Sequence, residues 1–536
     1  MASNIKAEQQ QSFDDWVAGI NLRRSEDAAK SVGEFGFATC RVRLLSGSNK
    51  FVTFPESAAG AKQLNASEAA SLKSGADSAS VLYWMNRDQR VQDNWALLFA
   101  QRVALKFSVP LHVCFNLPSS SALSTRRHFD FQLAGLKEIA TQCKDLNIGF
   151  TVLPVMNESS RGTKRTAEGQ FVDNEKSEST FRGLLNLIRS LRVAALITDF
   201  SPLREDTAAI QTVSQMLPSS TSFFQVDAHN IVPAWYASDK LEYAARTIRR
   251  KLHEKSQTLL TEFPPVRAHP IPADAKDPDW KSIEASVLGH LDESVKAIKW
   301  AQGGSRHGFR ELFTFLHERL ALYATARNDP TKNALSQLSP WFHFGHLSVQ
   351  RAILEAQRLR RKHKESVDAF IEEAFVRREL SDNFCLYNPH YDSIEGAWSW
   401  AQETLCKHAS DERKPAYAME TMEKAQTGDD LWNAAQRQLL TEGKIHGFLR
   451  MYWAKKILEW HAGGPEAALA VGLRLNDRYS IDGSDPNGFV GVMWSICGIH
   501  DQGWSERAIF GKIRYMNYAG CKRKFNIAQF VARYPS

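Results

Sequence analysis

The sequence predicts two folded parts in series: an α/β N-terminal domain on a five-stranded parallel sheet, then an all-α C-terminal domain. Three observations carry this. Five short apolar runs alternate with helix-period segments between residues 81 and 226. From about residue 290 onward the helical period dominates and strand signals stop. The 536 residues, 43% of them hydrophobic, exceed what one ordinary domain holds.

Residues 1–75 are rich in Ala, Ser, Gln and charge, and Ser57 to Ser80 are nearly all small or polar, so a poorly ordered extension is expected. Val81–Met85 (VLYWM) reads as a buried strand, followed by an amphipathic helix through Trp95, Leu98 and Val103. Further strands are expected near Leu111–Phe115, Ile148–Leu153, Val193–Thr198 and Phe223–Val226. Helices between them carry Phe131, Leu133, Leu136 and Ile139, then Phe181–Leu191. This makes 76–230 a Rossmann-like α/β domain. No G-x-G-x-x-G follows its first strand, which disfavours a nicotinamide or flavin held there in the usual dinucleotide manner. Residues 231–290 read as a connector, helical over Ala237–Lys251 and proline-rich over Glu262–Asp279. Residues 291–536 form the helical domain.

Charge and cysteine usage narrow the setting. The formal net charge is +7, which permits nucleic-acid binding without requiring it. The basic run Arg358–Lys364 reads first as a solvated helix face. The stretch from Arg507 carries Arg507, Lys512, Arg514, Lys522, Arg523, Lys524 and Arg533 with no Asp or Glu, a better phosphate-binding signal. Seven cysteines with no C-x-x-C pair argue against a disulfide framework and a structural zinc site, so no metal is expected. A reducing intracellular compartment fits, nucleus or cytoplasm, with organelle targeting left open. No apolar run is long enough to span a bilayer, so no membrane partner is expected. Of fourteen tryptophans, nine lie from Trp300 onward, as in a large aromatic core or an electron-transfer protein.

Long runs then carry a resemblance. They are YWMNRDQRVQDNWAL, VDAHNIVPAWYASDK, NALSQLSPWFHFGHLS, EEAFVRRELSDNF, KIHGFLRMYWAKKILEW, LNDRYSIDGSDPNGFVGVMWSICGIHDQGW and FGKIRYMNYAGCKRKF. Together they resemble class II cyclobutane pyrimidine dimer photolyases of the photolyase and cryptochrome family, from about Val81 to Phe525. The resemblance implies FAD in the helical domain, active as the anionic reduced form, and damaged DNA as partner to a monomer. It implies light-driven repair, with an electron passing from excited reduced FAD to a flipped-out dimer. It leaves room for a second, light-harvesting chromophore of unassigned identity in the α/β domain.

Residue by residue, Ser336, Gln337, Leu338 and Ser339 match the family's phosphate-binding turn, and Tyr323 lies where a flavin-contacting tyrosine is found. Arg450 matches the arginine over the flavin ring and Asp482 its carboxylate partner. The asparagine that faces the flavin N5 in class I falls on Gly488 here; Asn476 looks like the class II substitute, with Asn487 ranked second. The class I tryptophan nearest the flavin falls on Val492, and Trp453, Trp432 and Trp460 look like the replacement set for electron transfer. Gly447 replaces a class I asparagine with no substitute identified. For the lesion, Trp494 matches the tryptophan that packs on the dimer, Met451 a methionine beside it, and Glu373 the acid that hydrogen-bonds it. Glu372 is the neighbour onto which that last match could slip, and the second class I wedge tryptophan falls on Val376. Lys512, Arg514, Lys522 and Arg523 are the expected phosphate contacts, with Trp494 and Met451 at the bases.

The alternative is a cryptochrome-like blue-light sensor without repair activity. The chain ends at Ser536, soon after the FGKIRYMNYAG block, which leaves no room for a long signalling tail. Repair of the (6-4) lesion would lean on a histidine pair, and His446 stands alone.

Overall fold

A computed structural model describes residues 2–30, 37–47, 79–117, 125–153, 174–288 and 291–535. The chain divides into two compact units. One comprises Met1–Ser124, Gly135–His229 and Glu262–Leu291; the other comprises Thr125–Ala134, Asn230–Thr261 and Asp292–Ser536.

The first unit holds a six-stranded sheet in the order β1-β6-β5-β2-β3-β4. The strands are β1 Val42–Ser46, β2 Ser80–Met85, β3 Leu111–Asn116, β4 Gly149–Leu153, β5 Val193–Asp199 and β6 Ser222–Val226. β2 to β6 are the five expected strands, and their pairings are all parallel. β1 is a correction: it adds a sixth strand, antiparallel to β6, so the sheet is mixed. Its residues VRLLS are only partly buried, as suits an edge strand, and so lack the continuous apolar run that marks β2.

The expected poorly ordered extension is corrected in a second place. Ala2–Lys30 form a 29-residue helix, α1. Phe13 and Ile20 are buried, and the Arg24 guanidinium donates to both Asp93 carboxylate oxygens at 2.8 and 2.6 Å. A helix anchored by a few apolar residues and one buried ion pair shows little periodicity. Residues 48–78, including most of the small-residue stretch, lie outside the described residues.

The first motif run has a structural role. At the C-terminal ends of β2 and β5, Asp199 accepts from the Tyr83 hydroxyl and from the backbone N–H of Asn86 and Asp88. Asp88 accepts from Arg90 at 2.7 Å and His229 at 3.0 Å. Asn94 caps helix α2 (Trp95–Phe107) by accepting from Ala96 N and Leu97 N.

The connector does not form one segment: its first part belongs to the helical unit and its second to the α/β unit. The helix expected over Ala237–Lys251 is also corrected. Ala234–Ala237 makes one turn, and α3 runs over Ala245–Leu259. The break occurs where Asn383 accepts from Glu242 N at 2.8 Å and donates to Lys240 O at 3.0 Å. Glu379 likewise accepts from Ile231 N and Val232 N, and Asp382 from Asn230. The runs VDAHNIVPAWYASDK and EEAFVRRELSDNF therefore hold each other.

In the helical unit the elements used below are α4 Ser339–His343, α5 Asp430–Glu442, α6 Gly447–Trp460, α7 Gly464–Tyr479 and α8 Pro486–Cys497. α6 packs against α5, α7 and α8. It is buried nearly all round, as a central helix must be.

Candidate active site

Asp482 joins the two halves of the expected cofactor site. It is 8% exposed, accepts from the Ser480 hydroxyl at 2.5 Å, and has Arg450 at 3.7 Å. Burial pushes its carboxyl up, but Arg450, Lys444 and the Ser480 and Ser339 hydroxyls outweigh burial and hold it below its usual value. Ser339 opens α4, directly after the expected phosphate-binding turn. In that turn Gln337 has φ 61°, a left-handed conformation uncommon outside glycine.

The cations around the turn exceed the anions. Arg319 donates to Ser336 O at 3.2 Å and to Glu311. Its buried Nε has no partner. Lys444, half-buried, is lowered to about 8 by burial, with Arg450 acting the same way and Asp482 opposing. Three cations and two carboxylates around a strained turn, with one orphaned N–H, fit a group that brings negative oxygens. These residues therefore fit the pyrophosphate of FAD. Sequence reasoning missed Arg319 and Lys444; Lys444 lies in the same run as Arg450, six residues upstream, and that proximity was the available signal.

Tyr323 is buried, and burial pushes its phenol up to about 12. Arg327 lies 5.7 Å from its ring and donates to Glu373 at 2.7 Å. The Tyr323 expected at the flavin and the Glu373 expected at the lesion thus share one arginine. Glu372 faces elsewhere, paired with Arg249 at 2.7 Å and Arg377 at 3.1 Å.

Asn476 is 3% exposed, at the end of α7. A Cβ at Gly488 would stand 3.0 Å from its Nδ2. The amide from α7 therefore lies against Gly488 of α8, in the space a side chain there would fill. Asn487, the competing candidate, is engaged with Asp485 at 2.9 Å.

The tryptophans form one series. Trp453 and Trp432 stack with centroids 6.3 Å apart and planes at 7°, and Trp432 meets Trp460 at 5.9 Å and 67°. Trp432 Nε1 donates to Trp453 O, and Trp453 Nε1 to Gln436. Tyr417 meets Trp460 edge-on at 5.5 Å.

Met451 follows Arg450 on α6, and Trp494 lies on α8. Beside Trp494 stands Lys455, whose ammonium is 6.0 Å from the ring centroid and donates to Ser495 O at 2.8 Å. Burial lowers this lysine to about 7. Among the described residues no hydrogen bond or ring contact joins Glu373 to Met451 or Trp494. Of the phosphate candidates, Lys512, Lys522 and Arg523 are exposed. Arg514 is half-buried, paired with Asp501 at 3.2 Å and stacked 4.4 Å from the Trp504 ring.

The family described as DNA photolyase matches residues 81–272. A deoxyribodipyrimidine photo-lyase of Potorous tridactylus is 53% identical over 455 residues, 84% of this chain and 81% of that one. One of Arabidopsis thaliana is 46% identical over 461 residues, 84% and 88% of the two chains. Among solved structures, a bacterial class III photolyase from Agrobacterium tumefaciens has a TM-score of 0.60 at 17% identity, covering 85% of this chain and 86% of that one. A cryptochrome of Synechocystis sp. PCC6803 reaches 0.63 at 14%, covering 85% and 89%. These two carry the fold, and the closer relatives carry the rest: the chain belongs to the DNA photolyase family, among the class II cyclobutane pyrimidine dimer photolyases.

Proposed function

We propose that this chain repairs cyclobutane pyrimidine dimers in DNA by light, with FAD held in the helical unit between the Ser336–Ser339 turn and the Arg450–Asp482 pair. The observation that carries the site is Asp482, held by the Ser480 hydroxyl at 2.5 Å and facing Arg450 at 3.7 Å, with the Ser339 hydroxyl of the turn helping to lower its carboxyl. FAD, when bound, supplies the light-excited electron that opens the cyclobutane ring and takes it back afterwards.

The chain's own residues do the rest. Arg319, Lys444, Ser336 and Ser339 bind the negative oxygens of the cofactor. Arg450 places a fixed positive charge where the anionic reduced ring needs one, and Asp482 holds that arginine in place. Asn476 offers its amide to the ring nitrogen N5. Trp453, Trp432 and Trp460 form the path by which oxidised cofactor is reduced.

The dimer is out of reach inside a duplex and must be flipped into the pocket, which costs least at a damaged, poorly stacked pair. Trp494 and Met451 supply its apolar wall, and Glu373 hydrogen-bonds its bases once Arg327 is displaced or shared. Lys512, Lys522 and Arg523 hold the backbone phosphates. A second chromophore in the α/β unit belongs to this proposal as a light-harvesting aid, its chemistry unassigned.

The test is a light-dependent assay on DNA carrying one defined cyclobutane dimer. Repair under blue light and none in darkness is expected. Equal binding to damaged and undamaged DNA with repair of neither would replace this reading with that of a light sensor.

A further inference from the structure

Asn476 is followed by a second buried polar residue, Asp477, 6% exposed. Asn476 Nδ2 donates to Asp477 Oδ1 at 2.9 Å, and Ser484 N donates to the same oxygen at 2.9 Å. Ser484 belongs to the loop that carries Asp482. That loop folds back hard on the pair: a Cβ at Gly483 would stand 2.7 Å from Asp477 Cα and from its carbonyl oxygen. A Cβ at Gly488 would meet the same Asn476 Nδ2 at 3.0 Å. The amide nitrogen thus lies between Gly488 and the Asp477 carboxylate, while Gly483 packs on the backbone beneath the pair.

The two ends of an amide differ: one donates, the other accepts. An ionised carboxylate only accepts, so the end turned toward Asp477 must be the nitrogen. Asn476 Oδ1 is then the end left for another donor, such as an N–H of a protonated ring nitrogen. Burial raises the Asp477 carboxyl above its usual value, and the Ser484 N–H and the Asn476 amide offset that only in part.

We propose that Asp477 is a positioning residue for the flavin chemistry. It sets which end of the Asn476 amide faces the cofactor and ties that amide to the Asp482 loop. The proposal rests on the reading that Asn476 borders the flavin.

The experiment uses FAD-loaded full-length protein and two readouts: the light-minus-dark infrared difference spectrum and the rate of light-driven change in flavin absorption. Asn476→Ala identifies the Asn476 carbonyl band by its loss. Asp477→Ala should shift that band and slow the light-driven change by about three- to tenfold, as loss of one hydrogen bond allows. Asp477→Asn should restore both, because its Oδ1 can keep both bonds. In an Asn476→Ala background, Asp477→Ala should add no further slowing. Should Asp477→Ala not retain FAD, Asp477→Ser takes its place: a hydroxyl both donates and accepts, so the amide can turn over and the band must shift or split. An unshifted band and parental rate in the Asp477 variant, with the band lost in Asn476→Ala, would overturn the proposal and leave Asn476 at the flavin. An unchanged difference spectrum in Asn476→Ala would overturn the placement of Asn476, and the role of Asp477 with it.

Discussion

In the proposed mechanism, the electron path and the lesion pocket rest on single side chains. On α6, Trp453 and Trp460 share a face, which is as far as helical spacing takes the sequence. The ring contacts run through Trp432 of α5, which bridges the other two. Its place between them depends on how α5 packs on α6, which no single-helix pattern records. Both Trp453→Phe and Trp432→Phe should therefore block photoreduction of oxidised FAD while sparing repair by chemically reduced enzyme. Flavin absorption under illumination checks this, and normal photoreduction in the Trp432 variant would return the path to the α6 face alone. At the lesion, Trp494→Ala should weaken binding to dimer-containing DNA and leave FAD in place. Stacking on an aromatic ring is worth about 1–3 kcal/mol per base, or roughly ten- to hundredfold in affinity. Glu373→Gln keeps the shape and a hydrogen-bonding end, so binding should fall less than the quantum yield of repair. Arg327, left without its carboxylate at 2.7 Å, makes that variant a measure of charge rather than of packing.

At the scale of elements, the polar motif runs were legible as motifs but not as roles. SIDGSDPNG reads as a loop, and its Asp482 as half of an ion pair. That Gly483 must be glycine emerges only from the 2.7 Å approach of its absent Cβ to Asp477. Gly483→Ala should accordingly push the loop outward and lower FAD retention, measured as flavin absorbance per folded chain. The loop at 504–512 is a second case. Trp504 N bonds Lys512 O, and Arg507 and Gly511 exchange backbone bonds at 3.0 and 2.8 Å. Ile509, at φ 68°, is an unfavourable conformation for a β-branched residue, and its N–H is held by Asp411 at 2.7 Å. His408 bridges Asp411 at 2.6 Å and Glu506 at 3.0 Å, and these bonds, that to Glu506 foremost, raise its imidazole above the usual value. A histidine raised on folding stabilises fully below its unfolded value of about 6.5, and the stabilisation fades as pH rises through the raised value. The loop should therefore loosen toward alkaline pH. Trypsin cleavage at Arg507, corrected for the enzyme's own pH profile, should speed up with pH in the parent. In His408→Phe it should be fast throughout.

For the whole molecule, the order of an α/β part and a helical part was legible because β2 to β6 are continuous apolar runs and α6 to α8 are long and apolar. Their interleaving was not: 230–261 joins the helical unit and 262–291 the α/β unit, fixed by long-range bonds such as Glu379 to Ile231 N. The distribution of charge follows the same division between pattern and partner. A net charge of +7 and a one-signed stretch from Arg507 onward predict phosphate binding from composition. Pairing then subtracts from it. In the Arg358–Lys364 run, Arg358 meets Glu355 at 3.4 Å, while Arg360 and Lys364 share Asp368 at 2.8 and 3.2 Å, leaving Arg361 and Lys362 exposed. Arg514 is held by Asp501, whereas Lys512, Lys522 and Arg523 project into solvent. Binding to dimer-containing duplex should thus weaken steeply with salt. Each neutralised phosphate contributes about 0.9 to the slope of log affinity against log salt. Replacing Lys522 and Arg523 together by alanine should flatten that slope by about 1.8. Arg514→Ala should change it less, because its charge is already spent on Asp501, though the loss of stacking on Trp504 would still disturb the loop. Titrations at several salt concentrations separate these outcomes. A parental slope in the Lys522/Arg523 double variant would turn that surface away from the DNA.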